Sequence, residues 1–203
     1  MTRPVGSSRI VELGEISLPT GVIVASDPFF AGSAIPFDLS VDPGVYPVKL
    51  RLEDLGSGGT RVASARVYFG PSSSATVEPG GPIVSVGNLY AVESGLGAFM
   101  DESTRRLFVA EIASFDQSHP GGNFYGDVLA TKFRKNALDP SNPDDAGLWA
   151  LHEVGGSNHT VAMFASGLGD GAYPTLWALN RHGEPLYLHT EFLQSEPNLG
   201  PWQ

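Results

Sequence analysis

The sequence contains no cysteine, which removes disulfides, thiolate-bound metals, iron–sulfur clusters and a cysteine nucleophile together. A reducing, cytoplasmic setting is the expectation for such a chain. Charge is also sparse: Asp, Glu, Lys and Arg make up 17 % of residues, against about 25 % in an average globular domain. Positive charge is the scarcer sign. Lys and Arg number 12 against 22 Asp and Glu, a net charge of −10, so the mean field repels phosphate backbones and anionic lipid. Nucleic acid and membrane are therefore poor partners. Arg105 with Arg106, and Lys132 with Arg134 and Lys135, are short basic groups that read as solvated faces. No apolar run approaches the ~20 residues needed to span a bilayer, and residues 1–8 lack the apolar stretch of a signal peptide.

What the chain has is turn chemistry. Its 25 Gly and 16 Pro punctuate short segments in which apolar residues recur at every second position, the period that gives a strand one buried face. In 45–52, Tyr46, Val48, Leu50 and Leu52 alternate with polar residues or Pro47. In 61–69, Ala63, Ala65, Val67 and Phe69 do the same, and residues 56–59 join the two as a hairpin. Shorter strand candidates are 21–26, 35–41 and 82–92. The C-terminal third offers 160–165, 175–179 and 185–193, spaced like a three-stranded meander. One helix is expected, at about 101–115, with Asp101 as its N-cap and Thr104, Phe108, Glu111 or Ile112, and Phe115 on one face. Residues 119–147, rich in Gly, Pro, Asn and Asp and interrupted at 127–133 by a strand or a helical turn, read as a long excursion, a mobile loop or a lid. At 203 residues the expectation is a single domain: a mostly β antiparallel sandwich or open barrel with one packed helix.

Several segments in order along the chain resemble an uncharacterised bacterial family, domain of unknown function 4241. They are LPTGVIVASDP at 18–28, VDPGVYPV at 41–48, YAVESGLGAFMD at 90–101, ASGLGDGAYP at 165–174 and TEFL at 190–193. The resemblance implies a stand-alone domain of about this size and no assigned activity. This chain departs from the family pattern at Glu93 and Glu191, where the family has Asp, so two carboxylates are kept but lengthened.

No motif names a reaction. Ser166 lacks the first glycine of a nucleophile elbow and no helix follows it. Gly167 to Gly171 lack the Lys-Ser or Lys-Thr of a phosphate loop. His152-Glu153 begins like a zinc-protease signature, but Gly156 stands where the second histidine is needed. The chemistry-bearing pattern is a set of acids at strand ends and turns. Asp27, Asp170 and Glu191 are the candidate catalytic or ligand-polarising carboxylates. Glu93, Asp101, Ser166, Tyr173 and Trp177 are the candidate ligand contacts. Each has an ordinary role as well: Asp27 opens a turn before Pro28, Asp101 caps a helix, Asp170-Gly171 makes a turn, and the aromatics suit a core. If three of the acids converge, they suit a small polar ligand with a divalent cation such as Ca²⁺ or Mg²⁺. The alternative is an immunity-type module that neutralises a basic protein, for which an acidic surface suffices.

Overall fold

The computed structural model describes residues 6–70, 83–194, 199, 200 and 202. Strand accounts for 43 % and helix for 23 %, in two antiparallel sheets. The larger sheet orders its strands β1 (Ser8–Leu18), β3 (Gly44–Asp54), β4 (Thr60–Tyr68), β10 (Pro185–Glu191), β9 (Gly171–Leu179) and β5 (Ile83–Val92). The smaller orders β2 (Ile23–Ser26), β6 (Leu96–Asp101), β8 (Thr160–Ala165) and β7 (Trp149–Glu153). The sheets face one another across a core that includes Ile16, Leu50, Val67, Trp177 and Leu188 from the larger, and Ile23, Phe99, Ala162 and Phe164 from the smaller. This is a sandwich and not a closed barrel.

A helical layer covers the outer face of the smaller sheet. Helix α1 (Glu102–Ser118) starts at Asp101, whose Oδ1 accepts from the Ser103 amide at 2.8 Å and so satisfies a first-turn donor. Thr104 and Phe108 are buried from α1, with Ile112 and Phe115 packed partly behind them. A second helical piece lies inside the expected 119–147 excursion. Residues Tyr125–Leu129 form a π turn that runs into α2 (Ala130–Arg134). Phe124, Leu129 and Phe133 are buried against Val24, Met100 and Met163 of the sheet. Their spacing of five and then four residues does not fit an α period of 3.6. The i to i+5 bond from the Ala130 amide to the Tyr125 carbonyl adds the missing residue.

Register irregularities account for most other departures from the alternating pattern. A bulge at Glu12/Gly14 puts Leu13 and Ile16 on the same side and hides β1 from a period-two reading. A bulge between Arg51 and Leu52 brings Val62, not Ala63, into the core ahead of Ala65 and Val67. Residues 35–41 form no strand; they run beside β2 through the Val22/Ser40 bridge and the Phe37 amide on the Ile23 carbonyl. The expected meander is also corrected. β9 and β10 pair, but β8 belongs to the other sheet, so the Gly167–Gly171 turn crosses between layers. Gly167 has φ +61 there, and a Cβ would lie 2.8 Å from that of Phe192.

Candidate functional site: a cleft between two sheet edges

β2 and β5 are edge strands of their respective sheets, and the site lies where these edges meet. β2 ends at Ser26, and Asp27 caps the 3₁₀ turn Pro28–Ser33. The buried carboxylate has more than a capping role. Oδ1 accepts from the Phe29 amide at 2.9 Å and the Ser94 hydroxyl at 2.8 Å. Oδ2 accepts from the Glu93 and Ser94 amides at 2.9 and 2.8 Å. Asp27 thereby staples the β5–β6 turn to the end of β2, and its acceptor positions facing these donors are filled.

Beside this staple lies a cleft of about 360 Å³ lined by Ser26, Asp27, Phe30, Ile35, Leu89 and Glu93, among others. A register shift between Val86 and Leu89 breaks the β5–β9 ladder at its edge, a device that re-aims side chains. Leu89 is 66 % exposed, Ile35 76 % and Phe30 48 %, so the rim is apolar. The interior is polar. Ser26 is only 4 % exposed and its hydroxyl has no hydrogen-bond partner, whereas buried hydroxyls are ordinarily satisfied. Tyr90 is buried on β5, across the cleft from β2, and burial raises its hydroxyl far above the ordinary range, keeping it protonated.

The family model for a protein of unknown function, DUF4241, matches residues 16–190, which spans both sheets and the whole cleft. The chain belongs to the DUF4241 family. No curated protein and no solved structure matches it. The family carries no activity to transfer, so the DUF4241 site has to be read from its own geometry.

That geometry gathers Asp27 and Glu93 at one cleft and leaves the other acids elsewhere. Asp101 lies at the opposite end of β2, across from Ile23, where its two oxygens serve Thr20 and Ser103. Asp170 is exposed in the β8–β9 turn. Glu191 is buried on the outer face of the larger sheet, with Oε1 3.4 Å from Arg51 Nη2. Asp27, Asp170 and Glu191 therefore do not come together: one stands at the end of β2, one in an exposed turn and one on the outer face of the larger sheet. Among the described residues no three His, Asp or Glu side chains cluster closely enough to hold a metal ion. Ser166 donates to the Gly169 carbonyl at 2.8 Å, and the Tyr173 hydroxyl donates to the Ser166 and Gly169 carbonyls. Trp177 packs edge-on to Phe37 in the core. In this arrangement these three residues build the turn and the core.

Two buried histidine clusters were not anticipated from the sequence. His152, from β7, sits between the helical layer and the sheet, with Nδ1 2.7 Å from Lys132 Nζ and Nε2 2.9 Å from Glu111 Oε2. Its partners lie 20 and 41 residues away, so no local motif marks them. His189, from β10, accepts on Nδ1 from Arg66 Nε at 3.0 Å. The neutral ring then carries its proton on Nε2, 3.3 Å from Glu191 Oε2 but not aligned for a hydrogen bond.

Burial lowers the pKa of both rings, with Lys132 adding to the effect at His152, and Arg66 and Arg51 at His189. Glu111 and Glu191 oppose it without reversing it. Depressed values mean that the unfolded chain binds protons that the folded chain refuses. The stabilising contribution is complete above the unfolded value of about 6.5 and is lost as pH falls below it. Thermal unfolding of the wild type between pH 7.5 and 5 should therefore fall more steeply than that of a His152→Asn/His189→Asn double variant. Parallel slopes would show that the rings are not held neutral.

No helix among the described residues is long and apolar enough to cross a membrane.

Proposed function

We propose that this protein binds a small polar ligand in the cleft between β2 and β5, and that the ligand carries a cationic or hydrogen-bonding head and a short apolar tail. The observation that carries the reading is the buried, unpartnered Ser26 hydroxyl in the wall of a cleft, because a protein seldom leaves such a group unsatisfied unless something else completes it. Glu93 and Asp27 supply negative charge at the same place, and no Lys or Arg among the described residues lines the cleft. Phe30, Ile35 and Leu89 supply apolar contact at the rim. Asp27 acts here as the builder of the wall, since its oxygens are already engaged. For the same reason a divalent cation has no support at this site.

Alkylammonium ions from methyl to hexyl serve as probes. Thermal stabilisation should be saturable and grow with chain length, by about 0.8 kcal/mol of binding per buried methylene at most. Glu93→Gln should weaken it, and Ala34→Trp, which fills the cleft, should abolish it. Absence of saturable stabilisation across the series, or equal stabilisation in Ala34→Trp, would remove the proposal.

The exposed rim also supports a second reading, in which a basic protein caps the cleft with an apolar side chain at its centre. In that case Phe30→Ser and Leu89→Ser would weaken the protein partner, while the alkylammonium series would have no effect.

A further inference from the structure

A sheet face that is not packed on a core ordinarily turns its charges to water. On the outer face of the larger sheet, strands β3, β4 and β10 instead hold Arg51, Arg66, His189 and Glu191 in one patch, with His189 directly across from Arg66 in register. Arg66, His189 and Glu191 are each no more than 1 % exposed. Part of their cover is the chain's own segment around residues 199–202. The Gly200 carbonyl accepts from Arg66 Nη1 at 2.9 Å, and the Leu199 carbonyl accepts from the Tyr187 hydroxyl. The Trp202 ring lies 4.3 Å from the Arg66 guanidinium, a cation–π distance, and edge-on to Tyr68.

These are the contacts with which a protein reads a peptide: two main-chain carbonyls and one aromatic side chain. We propose that this face is a peptide-recognition site for a segment carrying a main-chain carbonyl two residues before a tryptophan, and that Leu199, Gly200 and Trp202 of the chain itself occupy it in cis. Two observations make the occupant exchangeable. Beneath the segment lie Arg66 and His189, which lifting it hydrates, and the only apolar group it uncovers among the described residues is the small Tyr68, Ala178 and Tyr187 cluster on which Leu199 packs, separate from the main core between the sheets. The closed arrangement also leaves His189 Nε2 and Glu191 Oε2 buried without an aligned partner, a cost that opening relieves. This site is on a different face from the cleft, and neither proposal depends on the other.

The test uses a synthetic peptide of residues 197–203 and a chain truncated after Gln194. Tethering gives the cis segment an effective concentration on the order of millimolar, so the wild type should bind the peptide at least about tenfold more weakly than the truncated chain, read by calorimetry. A peptide with alanine in place of Trp202 should lose about tenfold or more in affinity, the signature of an aromatic anchor. Arg66→Met in the truncated chain should lose a similar factor. If truncation prevents folding, the full chain bearing Trp202→Ala takes its place, with the same expectations. A folded truncated or Trp202→Ala chain that does not bind the peptide would overturn the proposal. So would equal binding by the wild type, which would place the peptide elsewhere, or failure of both variants to fold, which would make the segment a fixed part of the core.

Discussion

Asp27→Ala should cost about 3 kcal/mol or more of folding stability, because it removes a buried carboxylate that accepts four hydrogen bonds. The variant deletes the acceptor facing the Phe29, Glu93 and Ser94 amides and the Ser94 hydroxyl, leaving four partly buried donors around a hole where the carboxylate stood. Asp27→Asn should be harmful too. One oxygen can still accept, but the amide nitrogen then meets a backbone N–H that also donates. In an ordinary exposed Asp-Pro turn, Asn would be close to neutral. Urea unfolding separates the two situations, and a loss below about 1 kcal/mol for Asp27→Ala would show that the carboxylate is not the staple. The cleft should suffer with the fold, since the same hydrogen bonds position Glu93 beside Ser26.

A loss of comparable size is expected at Gly147→Ala, far from the cleft. Gly147 has φ +82, and a Cβ there would lie 1.9 Å from the Phe133 carbonyl oxygen and 2.6 Å from its carbon. No rotamer relieves an overlap with main chain. The end of α2 must move away from the start of β7, which threatens the Asn136 amide bond to the Trp149 carbonyl and the seating of Phe133. More than about 3 kcal/mol, or failure to accumulate folded protein, is the expected result. Gly183→Ala is the control. Its φ is +81, but nothing lies within 4 Å of the added carbon, so only the backbone preference remains, about 1–2 kcal/mol. Equal losses in the two variants would mean that the close approach at Gly147 is relieved without cost.

The cleft was half legible in the sequence. Asp27 and Glu93 stood out because each ends an apolar strand, and strand ends are where a β scaffold builds its sites. That argument applies equally to Asp170 and Asp101, and it cannot say which ends meet. The edge position of β5, its bulge and the isolation of the Ser26 hydroxyl follow from the order of strands in the sheets, for which a single strand carries no signal. His152 and His189 were passed over for the same reason. Their partners Glu111, Lys132, Arg66 and Glu191 come from other elements, and a lone histidine in a strand has no periodic signature. The helical piece at 124–134 was legible only as a strand or a helical turn at 127–133, its period broken by the π turn, and β1 was hidden by its bulge. In both, one extra residue shifts the phase that a pattern reading depends on.

By itself the sequence determined the class of the fold. Alternation at β3 and part of β4, glycine and proline at the turns and one capped amphipathic helix leave little but an antiparallel sandwich or open barrel, because each is a local preference written in adjacent residues. It also determined what the chain is short of: cysteine chemistry, and the clustered positive charge that binding phosphate requires. Only the tertiary structure decided which sheet each strand joins, and with it which acids share a wall, which histidines are buried neutral and where a residue with an unsatisfied hydroxyl lines a cleft. Those are properties of pairs far apart in the chain, set by register and layer, and a shift of one residue in a single strand reassigns them all.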